Sequence, residues 1–197
     1  MRSRRSRSLV WMERALVGFG AACLAWCGLA AIEAASWQQS ARALLERSLR
    51  ASAPAPAQAL AVPAIRPGSP IGEIEIPRLH LSAVVIEGDD ARALGLAVGH
   101  LPDTPLPWEP GNSALAAHRD TFFRPLEGVR GGDLIRLITP RGAIEYRVRE
   151  TLVVEPEDVW VLDPTTTPTL TLITCYPFHY VGRAPHRFIV RAERTET

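Results

Sequence analysis

Lysine is absent from this 197-residue chain; all twenty-two basic residues are arginine. A Schiff-base amine and a phosphate-loop lysine are therefore excluded. Cysteine is scarce, with three in all, too few for a disulfide-stapled scaffold. A surplus of one charge is also missing. The net charge is +1, but Met1–Arg14 holds five Arg and one Glu, so the remainder carries −3. That leaves no broad basic surface, and no nucleic-acid partner is expected.

One long apolar run is present. Ala15–Ile32 is eighteen residues without a charge, closed by Glu33. With Leu9–Met12 added it reaches the about 20 residues that cross a bilayer. Arg2, Arg4, Arg5 and Arg7 precede it. They predict a cytoplasmic N-terminus and an exported remainder. Ala31–Ser36 offers small residues for signal-peptide cleavage, but the run exceeds the about 7–15 residues of a signal core. The expectation is a basic tail over 1–8 and an uncleaved transmembrane anchor over 9–32. Cys23 and Cys27, at i and i+4, read as small buried hydrophobes rather than a metal or redox pair. Residues 33–50 have helical composition; they read as a stalk continuing the membrane helix or, preferred, as a solvated spacer. Ala51–Pro70 is rich in Ala and Pro and reads as a semi-extended linker. The folded domain is expected over 71–197, long enough for one sizeable core.

Within that domain short β-type runs follow one another closely. Ile71–Leu81 reads as a strand with Pro77 at an edge or bulge. Ala83–Ile86 is a second strand. Asp90 can cap a short helix over Ala91–Leu96. Gly99–Asn112 holds four Pro and two Gly and reads as loop. Ser113–Ala117 is a buried strand, followed by Phe122, Phe123 and Leu126 packed beneath a loop. Asp133–Thr139 and Ala143–Glu150 flank Pro140-Arg141-Gly142, a hairpin signal, with Thr151–Val154 as an extension after a bend. Asp158 can cap a single helical turn over Val159–Leu162. Thr169–Thr174 and Arg187–Ala192 complete the set. Many short strands with few helices argue for a mainly β fold, a barrel or a sandwich.

The stretch Thr169–Arg187, TLTLITCYPFHYVGRAPHR, concentrates the chemistry. A strand ends on Cys175, and Arg187 heads the next one twelve residues later. A hairpin-like return sets the two side by side. Upstream, Ala114–Ala117 ends on His118. Cys175, His118 and Arg187 on three strand ends supply a nucleophile, a proton-transfer partner and a cationic stabiliser. An odd cysteine in an exported domain also points to a reactive thiol.

TLITC with a later Arg, together with AAHRDTFFRPL, resembles the sortase family of cysteine transpeptidases over about Ile71–Arg191. The CYPF and HRDTFFRPL wording is most like class D. Ala117 stands where class D members often carry Gly. The resemblance implies an eight-stranded sortase-type β-barrel with short helices after an N-terminal transmembrane helix. It implies that Cys175 attacks a Thr–X bond in a C-terminal LPxT-type sorting signal to form a thioester. His118 protonates the leaving amine and later deprotonates the incoming one. Arg187 binds the oxyanion. The implied partners are protein substrates bearing that signal and an amine acceptor on a cell-envelope component or another protein subunit. No cofactor and no metal are implied.

Other residues are weighed against these. His80 and His100 read as loop or strand surface. His179 and His186 lie between Cys175 and Arg187 and are rivals to His118, which is favoured by its buried strand and its place in the family motif. Arg183, in a Gly-Arg-Ala-Pro loop, is the rival to Arg187. Asp120 reads as a surface ion-pair partner of Arg119 or Arg124. Glu155, Glu157 and Asp158 read as a solvated acidic surface. Leu101-Pro102-Asp103-Thr104 imitates a sorting signal but precedes Pro105 and reads as structural loop. Competing functions are a protease of the same fold, an L,D-type transpeptidase, whose Ser-x-Gly-Cys motif is missing, and a non-catalytic membrane-tethered binding domain.

Overall fold

The computed structural model describes residues 3–51 and 65–195. It divides into two compact units, Met1–Trp37 and Gln38–Thr197. One helix, α1 (Ser3–Ala51), contributes to both. Its stretch Leu9–Arg47 is long and apolar enough to cross a membrane. Trp11, Phe19, Leu24 and Trp26 are all exposed along it. Cys23 and Cys27 are exposed too, so among the described residues no other protein element buries them. The Ala/Pro linker lies largely outside the described residues.

The second unit is a closed barrel of eight strands: β1 (Pro70–Ile76), β2 (Leu81–Glu87), β3 (Val98–His100), β4 (Asn112–Ala116), β5 (Leu134–Thr139), β6 (Gly142–Val154), β7 (Thr169–Tyr176) and β8 (His186–Arg194). Their order around the barrel is β1-β2-β3-β4-β7-β8-β6-β5. β2/β3 and β4/β7 are parallel, and the other pairs are antiparallel. Closure gives every strand a partner on both sides. Ile74, Leu115, Ile135, Leu137, Leu170 and Leu172 are sealed inside, at the alternating positions that a barrel interior demands. Phe123 and Leu126 are fully buried with them, as expected.

The expected strands are present, with three local differences. The first run breaks at Pro77, which lacks an N–H and opens a 3₁₀ turn, Pro77–Leu79. His80 closes that turn at φ 51, and Leu81 begins β2 rather than ending β1. β3 runs into the start of the stretch read as loop, taking Gly99 and His100. It is a strand because the backbone approaches closely there. A Cβ on Gly99 would sit 2.4 Å from the Gly88 carbonyl oxygen. The turn Val159–Leu162 forms without a cap from Asp158, whose Oδ2 instead accepts from the Glu155 N–H at 2.9 Å. The helix α2 (Ala91–Leu96) is capped as expected. Asp90 Oδ1 accepts from Arg92 and Ala93 N–H at 2.9 and 2.8 Å. β6 runs through its bend, a register shift between Val148 and Glu150.

The end of α1 is not a solvated spacer. Ala41 and Leu45 are 3% exposed, and Gln38 donates to the Leu96 carbonyl at 2.7 Å and accepts from the Val84 N–H at 2.9 Å. Arg42 reaches Ser82 and Glu73 on β2 and β1. Residues 38, 41, 42 and 45 share one helical face, and that face lies on the barrel.

Candidate active site

β7 delivers Cys175 and β8 delivers Arg187. The two are direct partners in the antiparallel ladder, so both side chains emerge on the same face. β4 runs parallel to β7 with Ala116 opposite Ile173. Two residues further along each chain stand His118 and Cys175. Beyond the formal strand two bonds keep this level: Ala117 N–H to the Ile173 carbonyl at 3.2 Å and Thr174 Oγ1 to the Ala117 carbonyl at 2.8 Å. One rim of the barrel therefore carries a thiol and a guanidinium at the ends of β7 and β8 and an imidazole just past the end of β4. His118 is exposed, while Cys175 and Arg187 are partly buried.

Beneath this rim Tyr176, Phe178 and Phe188 pack ring on ring. Phe178 meets Phe188 at 5.2 Å and 66°, and Tyr176 meets Phe188 at 6.1 Å and 24°. Phe178 and Phe188 also touch the core. Their ring contacts join the end of β7, the start of the following loop and the start of β8.

The rival histidines are engaged elsewhere. His179 pairs with Glu127 at 3.1 Å and His186 with Glu155 at 3.3 Å. Arg183 is exposed on its loop. His100 corrects its surface reading: it is 1% exposed. Its Nδ1 meets Glu87 at 2.9 Å and its Nε2 meets the Pro105 carbonyl at 3.0 Å. The sorting-signal look-alike is a turn, in which Thr104 bonds the Leu101 carbonyl through both N–H and hydroxyl. Asp120 makes no ion pair among the described residues. Arg119 is committed to carbonyls of the β7–β8 loop.

A second clamp escaped the sequence reading. Asn112, fully buried at the start of β4, donates to the carbonyls of Val161 and Asp163 at 3.0 and 3.1 Å and accepts from Thr171 Oγ1 at 2.7 Å. It ties the β6–β7 connection to the barrel wall and is itself fully satisfied. A lone Asn at a strand start carries no signal of such a bond. Among the described residues no group of three or more His, Cys, Asp or Glu converges as a metal site.

The class these features define is a closed eight-stranded β-barrel with a Cys-His-Arg rim. The Sortase domain family matches residues 74–195, and the chain belongs to the sortase family. It is 38% identical over 128 residues to Sortase D of Bacillus subtilis (strain 168), covering 64% of this chain and 65% of that one. It is 33% identical over 109 residues to Sortase A of Listeria monocytogenes, covering 53% and 49%. The chain thus spans about half to two thirds of the length of these curated relatives. The solved structure of a Clostridium perfringens Sortase D5 transpeptidase superposes with TM-score 0.70 at 26% identity, over 82% of this chain and 99% of that one. Two of these three relatives are D-type sortases, the type the CYPF and HRDTFFRPL wording implies.

Proposed function

We propose that this chain is a membrane-anchored cysteine transpeptidase acting on C-terminal LPxT-type sorting signals. The observation that carries the proposal is the pairing of Cys175 with Arg187 across β7/β8, with His118 two residues past the end of β4 beside β7. The Cys175 thiolate attacks the carbonyl carbon of the Thr–X bond. Arg187 N–H groups bond to the oxygen that gains charge. The tetrahedral intermediate collapses, the C–N bond breaks, and His118 protonates the departing amine. A thioester remains. An acceptor amine attacks it, His118 takes the surplus proton, and an amide forms as the thiolate leaves. Water in place of the amine gives hydrolysis by the same steps. On this reading α1 anchors the enzyme with its arginine-rich end in the cytoplasm, and the barrel works outside.

The test incubates the purified protein with a fluorescent LPxTx peptide library, with and without a primary amine, and follows products by mass spectrometry. A Cys175→Ala protein is the control. A Cys175-dependent product that shifts to the amine adduct is expected. Cleavage without any adduct would favour a protease. Absence of cleavage, with no alkylation of Cys175 by a thiol reagent at neutral pH, would leave a tethered binding domain.

A further inference from the structure

The Arg119 guanidinium serves a single loop. Nη1 donates to the Pro177 carbonyl at 3.0 Å, and Nη2 donates to Tyr180 at 2.8 Å and Gly182 at 3.1 Å. Its Cζ also lies 5.8 Å from the centre of the Tyr180 ring. The loop, Pro177–Pro185, joins β7 to β8; Phe178 anchors its start on Phe188 and the core, and the rest has few other ties. Among the described residues its main chain makes no backbone–backbone hydrogen bond outside the strand ladders. Its one other side-chain bond is the exposed pair of His179 with Glu127. At its tip Val181 is fully exposed.

The position of this bond set matters more than its strength. The loop begins two residues after Cys175 and ends two before Arg187, while Arg119 directly follows His118. The ladder already holds Cys175 against Arg187. What Arg119 adds is the lean of the loop. It draws the loop toward the β4 side of the rim, away from β6, whose end Val154 lies opposite Arg187. A rigid fork with five donors can reach three carbonyls together, and a lysine point charge cannot match that geometry.

We propose that Arg119 is a positioning residue. It docks the β7–β8 loop on the His118 segment and keeps the path over Cys175 and Arg187 open to the peptide. The functional half of this inference rests on the transpeptidase reading; the docking half does not. Without Arg119 the loop samples positions that cover the thiol, and the binding-competent fraction falls. Apparent affinity then falls in proportion, while chemistry in the bound complex is nearly unchanged.

The test uses full-length protein in detergent: the parent, Arg119→Ala, Arg119→Lys, and Arg124→Ala as an exposed-arginine comparator. Three quantities are measured: thermal melting, amide hydrogen exchange across residues 178–184, and kcat and KM for a fluorogenic LPxTx peptide. For Arg119→Ala we expect melting within about 3 °C of the parent and loop exchange raised at least about tenfold. KM should rise about tenfold with kcat within about threefold. Arg119→Lys should fall between parent and alanine variant, and Arg124→Ala should match the parent. Unchanged loop exchange and unchanged KM in Arg119→Ala would overturn the proposal. Exchange rising evenly over all strands would do so as well, since Arg119 would then be a general stabiliser. If the alanine variant fails to fold, the lysine variant decides on the same readouts. A parent inactive on every peptide sinks the transpeptidase reading instead, and the loop exchange still decides the docking.

Discussion

Gln38 and Val84 are joined at 2.9 Å, side-chain oxygen to main-chain N–H. Val84 precedes the point where β3 begins to pair with β2 at Val85, so its N–H has no strand beside it. Gln38 fills that gap and uses its own N–H on the Leu96 carbonyl. Gln38→Ala strands a buried donor and an acceptor, at about 1–3 kcal/mol for each unsatisfied group. A fragment beginning at residue 71 loses this clamp together with buried Ala41 and Leu45. It should melt about 5–10 °C below a fragment beginning at Gln38. Calorimetry on the two fragments checks this, and equal melting temperatures would show that the helix face contributes nothing.

Tyr146 lies 1% exposed inside the barrel and donates its hydroxyl to the Pro107 carbonyl at 2.8 Å. Burial pushes its phenol up to about 12, with Arg194 pulling weakly the other way. The unfolded phenol titrates near 10. The folded value is the higher one, so the contribution is fully present below pH ~10 and is lost as pH rises from there toward 12. Tyr146→Phe removes this dependence and the bond together, at about 1 kcal/mol. Urea denaturation of parent and variant at pH 7 and pH 11 should show the gap narrowing at the higher pH.

Much of this architecture was legible because local chemistry and tertiary need agree. Thr169–Thr174 reads as a strand and is one; Asp90 reads as a cap and is one. Cys175, His118 and Arg187 were legible because each stands at the end of a readable strand, and the pattern of all three matches a family. β3 was not, because Val98-Gly99-His100 is too short for any periodicity and exists through close packing of Gly99 on Gly88. His100 read as surface because nothing local reveals Glu87 thirteen residues earlier. Gln38, Arg119 and Asn112 were missed for the same reason. Their partners lie 46 to 63 residues away, and a polar residue at a helix or strand end is ordinarily solvated.

Asp133 and Arg78 form a charged pair beside β5, and Asp133 also accepts the Arg130 N–H at 2.8 Å. Arg78 additionally reaches the Gly128 carbonyl at 2.6 Å. The bonded Arg78 guanidinium holds the Asp133 carboxyl below the usual carboxylate range, against the opposing pull of burial. A depressed folded value means stability that is present above the unfolded value of about 3.9 and is lost as pH falls through the folded one. Asp133→Asn should therefore melt below the parent at pH 7 and approach it below pH ~3. A gap that stays constant across that range would show that the pair adds no pH-dependent stability.

Arg187 separates the catalytic reading from the scaffold reading most sharply, because its charge is permanent and its fork geometry is specific. If it stabilises the oxyanion, Arg187→Ala should lose about 10²–10³ in kcat while the barrel remains folded. Arg187→Lys keeps the charge but not the fork, so it should recover only part of that loss. Cys175→Ala and His118→Ala should both abolish transfer. Their double variant should lose no more than either alone, since groups acting as one unit are not additive. The mass-spectrometric assay that detects the amine adduct reads all of these. Retained kcat in Arg187→Ala would remove the guanidinium from the reaction and return the oxyanion to main-chain N–H groups near Cys175.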